Sequence, residues 1–174
     1  MSVLTIAALS HGLLVAPPPV YVADGAEDIK RRIELYVVGI LRGVFSGWTI
    51  VPSKGGDDTA QAAGSGDAAE VEPPFILVQV QECAELLPDP PTHQALVKVA
   101  YFSRLTATTT PQHSAAVGAI GAALRALPRG YYLSTDLTIN GIELQKPEEI
   151  RDDGQDLHGD VFSVALGVTE GPVG

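Results

Sequence analysis

Four histidines, His11, His93, His113 and His158, and one cysteine, Cys83, are the side chains of this 174-residue chain best suited to acid–base, nucleophilic or metal chemistry. The histidines fall in four different segments, and none has a His or Cys at a metal-ligand spacing. His158-Gly159-Asp160 comes nearest to a cluster. A His and an Asp two apart match no zinc or triad signature, however, and the pattern reads as a polar entry to a strand. Cys83, between "QE" and "AELL", has no motif neighbour, and such a cysteine is usually a small, half-buried apolar residue. Asp152, Asp153, Asp156 and Asp160 gather acids as a calcium loop does. "DDGQDLHGD" lacks the register of the fixed glycine and terminal glutamate, so it reads as a solvated turn. Glu148-Glu149 pairs carboxylates at a spacing that selects no reaction. "GGDD" and "GSGD" put acids where a phosphate would sit, against a phosphate-binding loop. The sequence therefore predicts no catalytic, cofactor-binding or metal-binding residue.

Composition narrows the classes further. Hydrophobic residues make up 45% of the chain and charged residues 18%, a globular balance with a sparse charged surface, which fits partial cover by partners. A formal net charge of -10 argues against a grip on nucleic acid, because phosphate neutralisation needs clustered Lys and Arg. One cysteine excludes an intrachain disulfide and fits a reducing compartment. The opening "MSVLTIAALSHGLLVAPPP" lacks a basic leader, is interrupted by His11 and is too short to span a bilayer. It reads as an apolar arm over 1–23, a strand followed by the extended Pro17, Pro18 and Pro19, with no membrane partner.

The elements that would position any site follow from periodicity. Asp24 and Glu27 have capping-box spacing, and Ile29, Ile33, Val37, Ile40, Leu41 and Val44 recur at helical intervals, predicting a helix from Asp28 to Phe45. Leu35, Val38 and Phe45 widen its apolar surface, so they are expected, with Leu4 and Ile6 of the arm, to meet another subunit or partner. Gly47 ends the helix, and "WTIV" reads as a short strand. Ser53 to Glu72 has no apolar period and carries Asp57, Asp58, Asp67, Glu70 and Glu72, the composition of a flexible acidic loop. Ile76, Val78 and Val80 alternate in one strand. Ala95 to Ser103 forms the next, and prolines at 88, 90 and 91 predict a longer hairpin connection between them. Thr110 caps a second helix with Pro111 at its first position and Ala116, Val117, Ile120, Leu124 and Leu127 along one side. Tyr131 to Gln145 and Asp160 to Thr169 read as strands. Asn140-Gly141 fits either a hairpin turn or a bulge in one long strand, with the bulge preferred. The order predicts a single α+β domain over 24–170, with two main helices packed on a largely antiparallel β-sheet.

That order of features, "AEDIKRRIELYVVGILRGVF", "WTIVP", "FILVQVQECAELLPDPPTHQALVKVAYFSR", "TPQHSAAVGAIGAALRAL", "LTINGIELQK" and "DVFSVALGVT", resembles the tail terminator (tail completion) proteins of long-tailed phages. The likeness covers about Asp24 to Thr169 and rests on pattern and element order, without a diagnostic motif. It implies a non-enzymatic protein of the virion neck, assembled in the host cytoplasm as a homo-hexameric ring. Such a ring binds the tail tube protein, ends tube polymerisation and offers the docking surface for the head–tail connector, while DNA passes through without specific binding. On that reading Asp57, Asp58, Asp67, Glu70 and Glu72 line the lumen. Two other readings compete: another neck or baseplate ring component, and a small cytosolic enzyme or ligand-binding domain whose site gathers His158, Asp160 and Tyr101.

Overall fold

A computed structural model describes residues 28–53, 72–104, 110–152 and 156–172. The expected arm with Leu4 and Ile6, the Asp24–Glu27 cap, and Asp57, Asp58, Asp67 and Glu70 lie outside them. Helix α1, Ile29–Val44, begins after Asp28, whose carboxylate accepts the Lys30 N–H at 3.4 Å. It closes where Phe45 N–H reaches Leu41 O at 2.8 Å, and Gly47, at φ +82°, turns the chain in a conformation that side-chain-bearing residues rarely adopt. Ile33, Val37 and Leu41 face the core as the periodicity predicts. Val38 and Phe45 do too, at 1% and 5% exposure, so the expectation that they meet another subunit is corrected: they pack inside this chain. Leu35 alone of that group stays half-buried.

Strands β1 (Thr49–Pro52), β2 (Phe75–Pro88), β3 (Pro91–Arg104), β4 (Gly130–Tyr132), β5 (Leu137–Leu144), β6 (Glu148–Asp152) and β7 (Leu157–Glu170) make one sheet in the order β1-β2-β3-β7-β5-β4. Strand β6 pairs with the first part of β7 on the side that β5 takes further along. Every pairing is antiparallel except β1 with β2. The α+β architecture thus stands, as a mixed sheet with two helices.

Several boundaries differ from expectation for local reasons. The β2–β3 link is short: the strands run to Pro88 and resume at Pro91, leaving only Asp89 and Pro90, joined by a cis peptide. Pro88 and Pro91 pair with each other at the last rung, where missing N–H groups disturb the ladder least. Tyr131 to Gln145 is broken by a turn that ends at Asp136, φ +50°, and β6 was not foreseen. Ser53, expected in the acidic loop, is 2% exposed and bonded to Glu34. Asn140-Gly141 is a bulge: the register slips between Ile139 and Gly141, which brings Ile142 and Leu144 to the face of Leu137 and Ile139. A second slip between Val80 and Glu82 does the same for Cys83, which packs beside Ala95.

Helix α2, Thr110–Arg125, buries Ala116, Ile120 and Leu124 in the core that α1 also covers, against Val99, Phe162 and Leu166 of the sheet. Both helices therefore lie on one face. Ser103, His158 and Asp160 share that face by strand alternation, as the β3–β7 register and the buried neighbours require. Among the described residues no helix is long and apolar enough to cross a membrane.

Candidate functional site

Two features stand out from this frame, an open strand edge and a buried histidine–carboxylate cluster. Strand β1 covers the outer side of β2 only from Phe75 to Val78. The next outward donor, Val80 N–H, is taken by the Glu34 carboxylate at 3.1 Å. That carboxylate also accepts from Ser53 Oγ and, on its second oxygen, from Arg31 Nη1 at 3.2 Å. Burial pushes the Glu34 carboxyl above its usual 4.5 despite these three donors. Beyond Val80 no described strand pairs with the outer side of β2. Leu86 and Leu87 near its end are 58% and 56% exposed.

The cluster sits where the N-terminal turn of α2 crosses the start of β7. His113 Nδ1 lies 2.6 Å from Ser103 Oγ, and its Nε2 lies 2.6 Å from Asp160 Oδ2. The His113 and His158 rings stack at 3.9 Å with 10° between their planes. His158 Nε2 is 3.9 Å from Asp160 Oδ2 and 2.9 Å from Glu149 Oε1 on the neighbouring β6. This buried nitrogen thus sits in ion-pair contact with Glu149, without a well-directed hydrogen bond. Arg151 bonds Glu149 at 2.6 Å and, as the largest influence, holds that carboxyl below the usual range. Gly159 separates the two β7 side chains because a Cβ there would come within 2.8 Å of the Phe102 ring.

Neither the family models nor the curated proteins include a match to this chain.

Ser103, His113 and Asp160 form a hydroxyl–imidazole–carboxylate line, the set of groups a hydrolase uses. The serine is 7% exposed and bonds Nδ1, the nitrogen that a catalytic triad gives to its carboxylate, so the order of the three groups differs from that of a Ser-His-Asp triad. Cys83 is half-buried, and burial pushes its thiol up, the opposite of an activated nucleophile. His93 lies elsewhere, bonded at 2.8 Å to Glu170, which also takes Arg32 at 2.7 Å.

The sequence placed His158 and Asp160 at a strand entry, and the structure does so too. It departs from the solvated-turn reading for Asp160, which points into the cluster with its side chain 14% exposed. Tyr101, the third residue of the competing site, does come near, its ring 5.1 Å from that of His113. Sequence reasoning missed His113 and Glu149 as members. Their only signal is position: His113 lies in the first turn of its helix, and Glu149 lies in a short strand that the pattern did not reveal. Of the acidic loop, Glu72 is described and is exposed.

Proposed function

We propose that this chain is a ring-forming structural protein of the tail-terminator type, which closes the head-proximal end of a phage tail tube and presents the surface on which the head connector docks. The observation that carries the reading is the outer side of β2 beyond Val80, unpaired among the described residues, with Leu86 and Leu87 exposed beside it. Strand edges with free backbone groups pair with other strands, and soluble proteins normally blunt them. At the other side of the sheet, the outer sides of β6 and of β5 beyond Ile139 are also unpaired among the described residues. Two different edges on one subunit make a head-to-tail contact, and such a contact closes into a ring when its rotation divides the circle. A formal charge of -10 suits a channel that must let DNA slide, since a surface that binds no phosphates does not hold the duplex. The acidic residues Asp57, Asp58, Asp67, Glu70 and Glu72 supply that lining in this proposal, and the ring belongs to the virion neck.

Electron microscopy of the purified full chain, alone and mixed with tail tubes, tests the reading. The expected result is six-fold rings, and tubes capped at one end that grow no further. A chain that stays single and leaves tube length unchanged would rule the proposal out.

A further inference from the structure

We infer that His113, His158, Asp160 and Glu149 form a binding site for one divalent transition-metal ion of the zinc class. The ligand atoms of His113, His158 and Asp160 all lie within 4.8 Å of one another, and Glu149 Oε1 is 2.9 Å from His158 Nε2. Two imidazoles with two carboxylates make a mixed N,O set, which zinc and its neighbours favour, whereas calcium and magnesium take shells of oxygen. The two carboxylates also supply the two negative charges that such an ion balances.

What separates this group from an ordinary buried ion pair is the state of its nitrogens. His158 Nε2 is buried between two carboxylates, 2.9 Å from Glu149 Oε1 and 3.9 Å from Asp160 Oδ2, without a well-directed hydrogen bond. Both Nε2 atoms face Asp160 Oδ2, at 2.6 and 3.9 Å, and binding one cation turns the rings out of their parallel stack so that the in-plane lone pairs converge.

Ser103 contributes from behind. With the His113 proton on Nδ1, that N–H donates to Ser103 Oγ at 2.6 Å, which fixes the ring and leaves Nε2 as the ligand. Asp160 then exchanges its contact with His113 Nε2 for a bond to the ion. Glu149, 47% exposed, stands at the solvent side and gives the ion a way in. This inference is independent of the ring reading.

The untagged full chain, stripped with a chelator, is titrated with Zn2+ against a chromophoric chelator and with Co2+ under visible absorption. We expect one ion per chain, the strong Co2+ bands of a low-coordinate site, and a higher Tm with Zn2+. His158→Gln and Asp160→Asn are expected to weaken Zn2+ binding about tenfold or more. Glu149→Gln, at an exposed position that keeps the fold, is expected to weaken it severalfold. His93→Gln, outside the cluster, is expected to bind Zn2+ as the parent does. An absence of saturable binding, or affinity unchanged in both Glu149→Gln and a folded His158→Gln, would overturn the inference.

Discussion

Strand β2 is two regions in one. From Phe75 to Val78 it runs between β1 and β3 under helix α1, with Glu34 taking over the outer side at Val80, and Ile76 and Val78 are fully buried. From Gln81 to Pro88 it has β3 on one side only, and every residue but Cys83 is exposed. Both halves alternate in the ladder with the same partner strand, so intrinsic strand preference does not distinguish them. Neighbours do: the first half is held by a strand, a helix and the Glu34 carboxylate, while the second presents an edge. The comparison teaches that one continuous strand can be core at one end and exposed edge at the other, with Glu34 marking the boundary.

The comparison breaks most visibly in stability. Ile76→Ala should destabilise the chain by about 2–5 kcal/mol in urea unfolding, the range for truncating a fully buried Ile. An effect no larger than that of a surface change would mean that the first half is not core. Next in size is Glu34→Ala, which leaves Val80 N–H and Ser53 Oγ without their acceptor and Arg31 with only the Ser53 carbonyl, and should cost about 1–3 kcal/mol in the same assay.

A pH series sharpens the role of that boundary. Because burial raises the Glu34 pKa in the folded chain, folding favours the protonated acid. Its stabilising contribution is full below the usual 4.5 and is lost as pH rises through the higher folded value. Glu170 runs the other way: burial raises its pKa, but the bonds from His93 and Arg32 outweigh that and hold it below 4.5. Its contribution is present above 4.5 and is lost as pH falls through the lower folded value. Thermal melts of Glu34→Gln should thus lose less stability than the parent between acid and neutral pH, and those of Glu170→Gln should lose less on acidification. The same pH profile in both variants would contradict these assignments.

The smallest stability effect belongs to the second half. Leu86→Ala and Leu87→Ala should each stay within about 0.5 kcal/mol of the parent in urea unfolding, as surface changes do. A loss comparable to that of Ile76→Ala would show these leucines buried in the subunit and remove the contrast.

Much of the first half was legible, and little of the second. Ile76, Val78 and Val80 alternate plainly, as Ile33, Val37 and Leu41 do at helical spacing, because a single buried face imposes its period on the sequence. Prolines at 88, 90 and 91 hid the distal strand, since they suggest a connector wherever the ladder does not happen to tolerate them. The bulge at Asn140 was readable from the slip between Ile139 and Ile142, and the one after Val80 left the same mark at Cys83. Val38 and Phe45 could not be assigned from periodicity, because a wide apolar helix surface looks alike whether a sheet of the same chain or a partner covers it. The histidine cluster was least legible: His113 and His158 come from elements far apart in sequence, and only the β3–β7 register and the crossing of α2 bring them together.

Light scattering during size-exclusion chromatography of the full chain and of a Leu86→Lys, Leu87→Lys variant tests most directly whether the open half of β2 builds the assembly. The account predicts a mass of six chains for the parent, and for the variant a folded single chain whose Tm is lower because assembly no longer stabilises it, since two cations on an edge oppose pairing there. A parent that elutes as one chain, or a variant that keeps the parent's assembled mass, would contradict it.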